Sequence, residues 1–252
     1  MFDTHCHLDF PDFAADRLEV WSRARAVGVQ WCLVPGVRVQ DFARIVAMQS
    51  GEIGIGLGLH PGFLEDHGPD GVEQLETWIR HCPPVAVGEI GLDYLLSPES
   101  HAAQWQLLER QLRLAGRLQL PVVLHVRRAH DPMIGLIKQL GFAHGGIVHA
   151  FSGSPQQAVA YVKLGFCLGF GGVVTHERAK RVRQVAAHLP EESLVLETDA
   201  PDLPPAGHAG ERNEPGFLPE VVRVLARLRQ VEVERIMEVT THNARRVLAW
   251  PS

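Results

Sequence analysis

Three features of the 252-residue sequence predict a single-domain (β/α)8 barrel. Short apolar segments alternate with longer amphipathic ones about eight times, which implies parallel strands joined by right-handed crossovers. The chain length suits one barrel of roughly 250 residues. The first strand runs into HCHLDFPDF, which has no glycine, whereas an open doubly wound sheet carries a glycine-rich phosphate loop at that place.

The predicted strands are FDTHC, VQWCLVPG, EIGIGLGLH, PVAVGEIG, LPVVLHV, GGIVHAF, GFCLGFGG and SLVLETDA. Between them, AADRLEVWSRARAVG, VQDFARIVAMQS, AAQWQLLERQLRLAGRLQ and SPQQAVAYVKLG repeat apolar residues every three or four positions, the helical period. EPGFLPEVVRVLARLRQ and VERIMEVTTHNARRVL read as two closing helices, the second packed back on the body. No low-complexity run or linker divides residues 1–252, and the proline-rich patch from Pro201 to Pro205 is too short to do so.

A net charge of -5 argues against a protein that coats long nucleic acid. It leaves room for a local phosphate pocket, and the cations are almost all arginine, with lysine only at Lys138, Lys163 and Lys180. The first residues lack the basic and apolar regions of a signal peptide, and no apolar run reaches membrane-helix length. Cys6, Cys32, Cys82 and Cys167 show no Cys-x-x-Cys spacing and suit reduced, buried thiols. The expectation is a cytoplasmic protein with no membrane association and no obligate protein partner.

In such barrels the chemistry sits at the C-terminal ends of the strands. Those ends carry His5 and His7, His60, Glu89, His125, His149 and Asp199. A lone histidine there has an ordinary structural explanation, and a lone aspartate before proline is a turn former. So many titratable groups converging on one rim are different, because burying them without partners costs several kcal/mol apiece. A metal centre removes that cost. His5 and His7, as i and i+2, face the same way into the mouth, while Cys6 faces outward as a packing residue. The ligand supply exceeds the needs of one four-coordinate ion, so two divalent ions sharing a carboxylate are expected, with Glu89 as the bridge. Imidazole and carboxylate donors suit Mg, Mn, Zn, Co or Fe, and Asp199 is the expected general base.

The rim loops add Arg127 and Arg128 after His125, Ser152 and Gly153 after His149, and Arg212 with Asn213 after Asp199. Arginines beside metals suggest a phosphate ester. The candidate substrate contacts are His60, Arg127, Ser152 and Arg212, with Phe63, Tyr94 or Trp105 available to stack a base.

DTHCHLD, GLHPG, VGEIGLDY, LHVRRAH, HAFSGS and LETDAP, in that order, resemble the TatD family of metal-dependent deoxyribonucleases within the amidohydrolase-like barrels, over Phe2 to about Leu248. The RNEP at Arg212 to Pro215 also matches that family. The resemblance implies that His5, His7, Glu89 and Asp199 hold one metal and that Glu89, His125 and His149 hold the second. It implies a monomeric or weakly associating, Mg-dependent nuclease that trims DNA ends from the 3′ side. Some amidohydrolase relatives bridge their metals with a strand-four lysine; Glu89 at that place points away from the phosphotriesterase and dihydroorotase types. HCHLDFPDF and LETDAPDLPP look closest to a less characterised branch. The same centre would also serve a small phosphoester, a lactone or an aminoacyl-tRNA ester; a barrel that only binds would leave these ligands without a purpose.

Overall fold

The protein, described here by a computed structural model over residues 1–250, places eight parallel strands in one sheet in sequence order. They are β1 (Phe2–Asp3), β2 (Trp31–Pro35), β3 (Ile53–Leu57), β4 (Ala86–Asp93), β5 (Val122–Arg127), β6 (Gly146–Val148), β7 (Phe166–Phe170) and β8 (Leu194–Leu196). The helices are α1 (Arg17–Ala26), α2 (Phe42–Val46), α3 (Gly71–His81), α4 (His101–Leu118), α5 (His130–Leu140), α6 (Pro155–Lys163), α7 (Lys180–His188), α8 (Leu218–Arg229) and α9 (Val233–Val247). This is the expected (β/α)8 barrel.

Each predicted strand exists, but several stop short of their predicted ends. β1 pairs regularly with β2 only at Phe2 and Asp3, and β8 ends at Leu196 rather than Ala200. The sequence beyond those points bridges the seam between the last strand and the first. Thr4 N–H donates to Leu196 O at 2.9 Å, Asp199 N–H to His5 O at 2.8 Å and His7 N–H to Ala200 O at 2.8 Å. Asp3 reinforces this seam by accepting from Thr198 Oγ1 (2.6 Å), Thr198 N (3.0 Å) and His5 N (3.2 Å).

Side chains alternate across the strands with period two. Phe2, Leu33, Ala86, Val123, Ile147, Cys167 and Val195 form one buried layer, with Ala244 and Leu248 of the C-terminal segment packed against it. Helix α9 therefore closes the N-terminal end of the barrel, and Asn243 Nδ2 donates to Leu194 O at 2.9 Å. The opposite faces of the strands, with Val34, Val122, Leu124, Val148, Leu168, Leu194 and Leu196, pack against the helices. Two residues beyond Val123, Ile147 and Val195 the same alternation brings His125, His149 and Glu197 towards the C-terminal mouth.

Two strands approach so closely that a side chain has no room. A Cβ at Gly91 of β4 would lie 1.8 Å from His125 O. Gly91→Ala is expected to cost about 1–3 kcal/mol through forced backbone displacement, read as a lower urea midpoint. His130, buried at the start of α5 beside Tyr161 and Phe151, has its imidazole held down to about 4 by burial. The unfolded chain protonates this residue near 6.5, so it binds the proton that the folded state excludes. His130 therefore stabilises the fold less and less as pH falls from about 6.5 towards 4. Replacing it in His130→Leu is expected to flatten the pH dependence of unfolding free energy across that window, by on the order of 2 kcal/mol, measured by denaturant titration of both proteins.

Candidate metal centre

β4 has an irregular register between Val87 and Ile90, and Glu89 sits in that irregularity, the kind of bulge that re-aims a side chain. Its carboxylate enters the barrel mouth and is 3% exposed. The two oxygens face different partners. Oε2 lies 3.3 Å from His5 Nε2 and 3.4 Å from His7 Nε2. Oε1 lies 2.8 Å from His149 Nε2, 2.9 Å from His125 Nδ1 and 3.3 Å from His60 Nε2.

Asp199 completes the first group. Its Oδ1 is 3.5 Å from His5 Nε2 and 3.8 Å from His7 Nε2. The residue has φ of 60°, in the left-handed region that aspartate tolerates better than most. The rings of His5 and His149 stack at 3.9 Å between centroids, linking the two groups.

Hydrogen bonding among these side chains does not satisfy them. His5 Nε2 and His7 Nε2 face each other at 3.2 Å, while each also faces carboxylate oxygens that can only accept. The Nδ1 atoms of His5, His7 and His149 are buried with no protein partner. Burial and the neighbouring imidazoles push the His5 pKa well down. Burial works against charge on His7 and His125 as well, but Glu89 outweighs it for His7, and Asp93 with Glu89 for His125, and both are held up to about 9. Glu89 remains ionised, because the surrounding imidazoles overcome the effect of burial and hold it well below the usual range. A concentrated, ionised carboxylate ringed by imidazole nitrogens is the donor chemistry of a divalent cation site. His5, His7 and Asp199, likewise His5, Glu89 and His149, and likewise His60, Glu89 and His125, have ligand atoms within 4.8 Å of one another.

Two neighbours fix ring orientations. His125 Nε2 lies 3.2 Å from Asp93 Oδ2, so Nε2–H donates outward and Nδ1 is the nitrogen that would give up its proton to face a cation, an arrangement familiar from carboxylate-supported metal histidines. Burial disfavours the Asp93 carboxylate, but the bonds from His125 and Leu95 N outweigh it and hold its pKa below the ordinary value. At His60, Nδ1 accepts from Gly62 N–H at 2.9 Å. The neutral ring then carries its proton on Nε2, which faces Glu89 as a hydrogen-bond donor. Burial lowers the His60 pKa and favours that neutral form.

The centre lies at the floor of a cavity of about 750 Å³. His60, Arg127 and Ser152 line it, as do Phe10, Phe63, Arg128, Arg181 and Asp202. The Arg127 guanidinium sits 3.6 Å from Asp93. Arg212 lies elsewhere. Its guanidinium pairs with Asp16 at 2.6 and 2.9 Å and covers the ring of Phe13, away from the cavity lining. Asn213, fully buried, ties the loop after β8 together by donating to Thr198 O and Asp202 O. Among the aromatic candidates only Phe63 lines the cavity, with Arg38 over its face; Tyr94 stacks on His101 and Trp105 packs against the core. Cys6 packs in the core beside Cys32, facing away from the histidines on either side.

Glu197 belongs to the site although it was not among the expected residues. It is buried, accepts from Ala150 N–H, and has Oε2 without a partner. Burial, then the charge of Asp199, pushes the pKa of its carboxyl well above the ordinary value. A Cβ at Gly169 would strike it, so that glycine makes its space. The signal was present: Glu197 is two residues before Asp199 and two after the inward-facing Val195.

Comparison with known proteins agrees with this geometry. Residues 2–249 match the family model described as TatD related DNase. An uncharacterized metal-dependent hydrolase of Escherichia coli K12, YjjV, is 44% identical over 246 residues, covering 96% of this chain and 95% of that protein. The crystal structure of YjjV, a TatD homologue, superposes with a TM-score of 0.95 at 42% identity, over 100% of this chain and 98% of that one. A protein of Pantoea sp. At-9b named 3′-5′ ssDNA/RNA exonuclease TatD is 34% identical, over 98% of each chain. With the barrel, the buried donor set and the full-length match together, the chain belongs to the TatD family of metal-dependent hydrolases.

Proposed function

We propose that this hydrolase is a two-metal phosphodiesterase that trims DNA from the 3′ end. The observation that carries the reading is the division of Glu89 between two sets of imidazoles, one oxygen to His5 and His7, the other to His125 and His149 with His60 beside them. One carboxylate would bridge an ion held with His5, His7 and Asp199 and a second held with His125 and His149. When bound, such ions bring the pKa of a water towards neutrality and stabilise negative charge on the phosphoryl group.

The remaining work belongs to the side chains. Asp199 is 16% exposed to the cavity against 3% for Glu89, so it is the acid of the pair that reaches an incoming water. Burial raises its pKa, which strengthens it as the proton acceptor. His60, with its proton on Nε2, is a neutral donor beside the reacting group. Asp93 keeps His125 in the ligating tautomer. Arg127 and Ser152 line the same cavity and would meet outer phosphate oxygens. The family description and the naming of the Pantoea relative support a nucleic-acid end as substrate.

The decisive experiment is shortening of end-labelled single-stranded DNA by EDTA-stripped protein restored with Mg, Mn or Zn. Stepwise loss from the 3′ end that requires metal, and that His125→Ala abolishes, is the expected result; metal-loaded protein that leaves DNA intact would overturn the nuclease reading. Asp199→Asn should lower turnover at least about 100-fold while the protein still takes up metal by elemental analysis; activity within a few fold of wild type would remove Asp199 as the base. Asp93→Asn should weaken metal binding about 10–100-fold in a chelator-competition titration, with the fold unchanged by circular dichroism.

A further inference from the structure

The arginines at the C-terminal end of the barrel divide into two kinds. Most are held by acids: Arg38 by Asp41 and Asp66, Arg44 by Asp9 and Asp41, Arg212 and Arg23 by Asp16, and Arg127 lies beside Asp93. Arg128 and Arg181 are different. Both line the cavity above the metal centre with exposed side chains, and neither guanidinium has a hydrogen bond or salt bridge among the described residues.

Their backbone settings are also adverse. Arg128 follows β5 with φ of 52°, in the left-handed region that a non-glycine residue rarely occupies. Helix α7 opens with Lys180 and Arg181 and has no acidic residue in its first turn, against the preference of the helix dipole for negative charge at that end. Anionic groups in this cavity would pair with both guanidiniums and suit the start of α7. The donor set at the floor already accounts for the scissile phosphate, so the anion met by the arginines is another one.

We propose that Arg128 and Arg181 form a second phosphate subsite, which holds the phosphodiester next to the scissile one and makes the enzyme selective for a polynucleotide end over a small phosphoester. The proposal rests on the phosphodiesterase reading above. A simple diester places one phosphate at the metals and leaves both guanidiniums unpaired; a chain of at least two phosphodiesters pairs them. Phe10 and Phe63, which line the same cavity, offer apolar surface to the sugar and base between the two phosphates.

The test compares wild type, R128A, R181A, the double variant and R227A, which removes an exposed arginine outside this cavity. Two substrates are used, a fluorescein-labelled single-stranded DNA decamer and bis(p-nitrophenyl) phosphate, and binding of the decamer to metal-free protein is measured by anisotropy. The double variant is expected to raise the Kd for the decamer at least tenfold. It should also lower the ratio of kcat/KM on DNA to kcat/KM on the small diester at least fivefold and reduce the slope of log K against log salt by about 1.4. R227A should change that ratio less than twofold. A decamer Kd within twofold of wild type in the double variant, or equal losses on both substrates, overturns the subsite while leaving the nuclease reading intact. Wild-type protein that turns over the small diester but neither binds nor shortens the decamer overturns both.

Discussion

Everything at the mouth of this barrel depends on one buried charge, the carboxylate of Glu89. An ionised acid almost removed from solvent is costly unless opposite charge surrounds it, and five imidazoles supply that surrounding. Imidazoles, however, are themselves disfavoured as cations by burial. The site is therefore a set of groups each of which needs its neighbours in a particular protonation state, and divalent charge would take the place of those protons. The metal dependence named for the relatives fits the electrostatics of this one position.

The supporting structure answers the same demand. Asp3 and Thr198 lock the two irregular segments that carry His5, His7 and Asp199, so residues nearly two hundred positions apart keep a spacing of a few ångströms. Asp93 and Gly62 each set a histidine tautomer from outside the ring of imidazoles around Glu89. The apolar layer below, closed by α9, gives these contacts a rigid base. Precision at the rim thus comes from the irregular ends of the strands, anchored by polar bonds, and rigidity comes from their regular middles.

Much of this was legible before the fold was known. His125 and His149 sit at inward positions of apolar strands, and period-two alternation alone assigns their direction. Glu197 obeys the same alternation above Val195, but in the LETDAP motif the neighbouring Asp199 draws the attention. Arg212 shows the opposite failure. Its place in a loop after β8 suggested the cavity, but Asp16 and Phe13 lie closer and capture it. Nothing local announces that competition. His60, a substrate contact on the sequence pattern, lies within reach of Glu89, and its Gly62 bond, which sets the tautomer, is visible only in the fold.

By itself, the sequence determined the strand and helix order, the closed barrel and the convergence of histidines and carboxylates on one rim, because periodicity and strand-end placement are written in neighbouring residues. Only the tertiary structure decided how the two oxygens of Glu89 divide among five rings, that Asp93 orients His125, that the β1 and β8 segments join through Asp3 and Thr198, and that Arg128 and Arg181 alone stand unpaired in the cavity among the described arginines that line it. Those outcomes depend on distances between residues tens to hundreds of positions apart, and on which partner reaches a charged group first. No local pattern carries that information until the chain has closed.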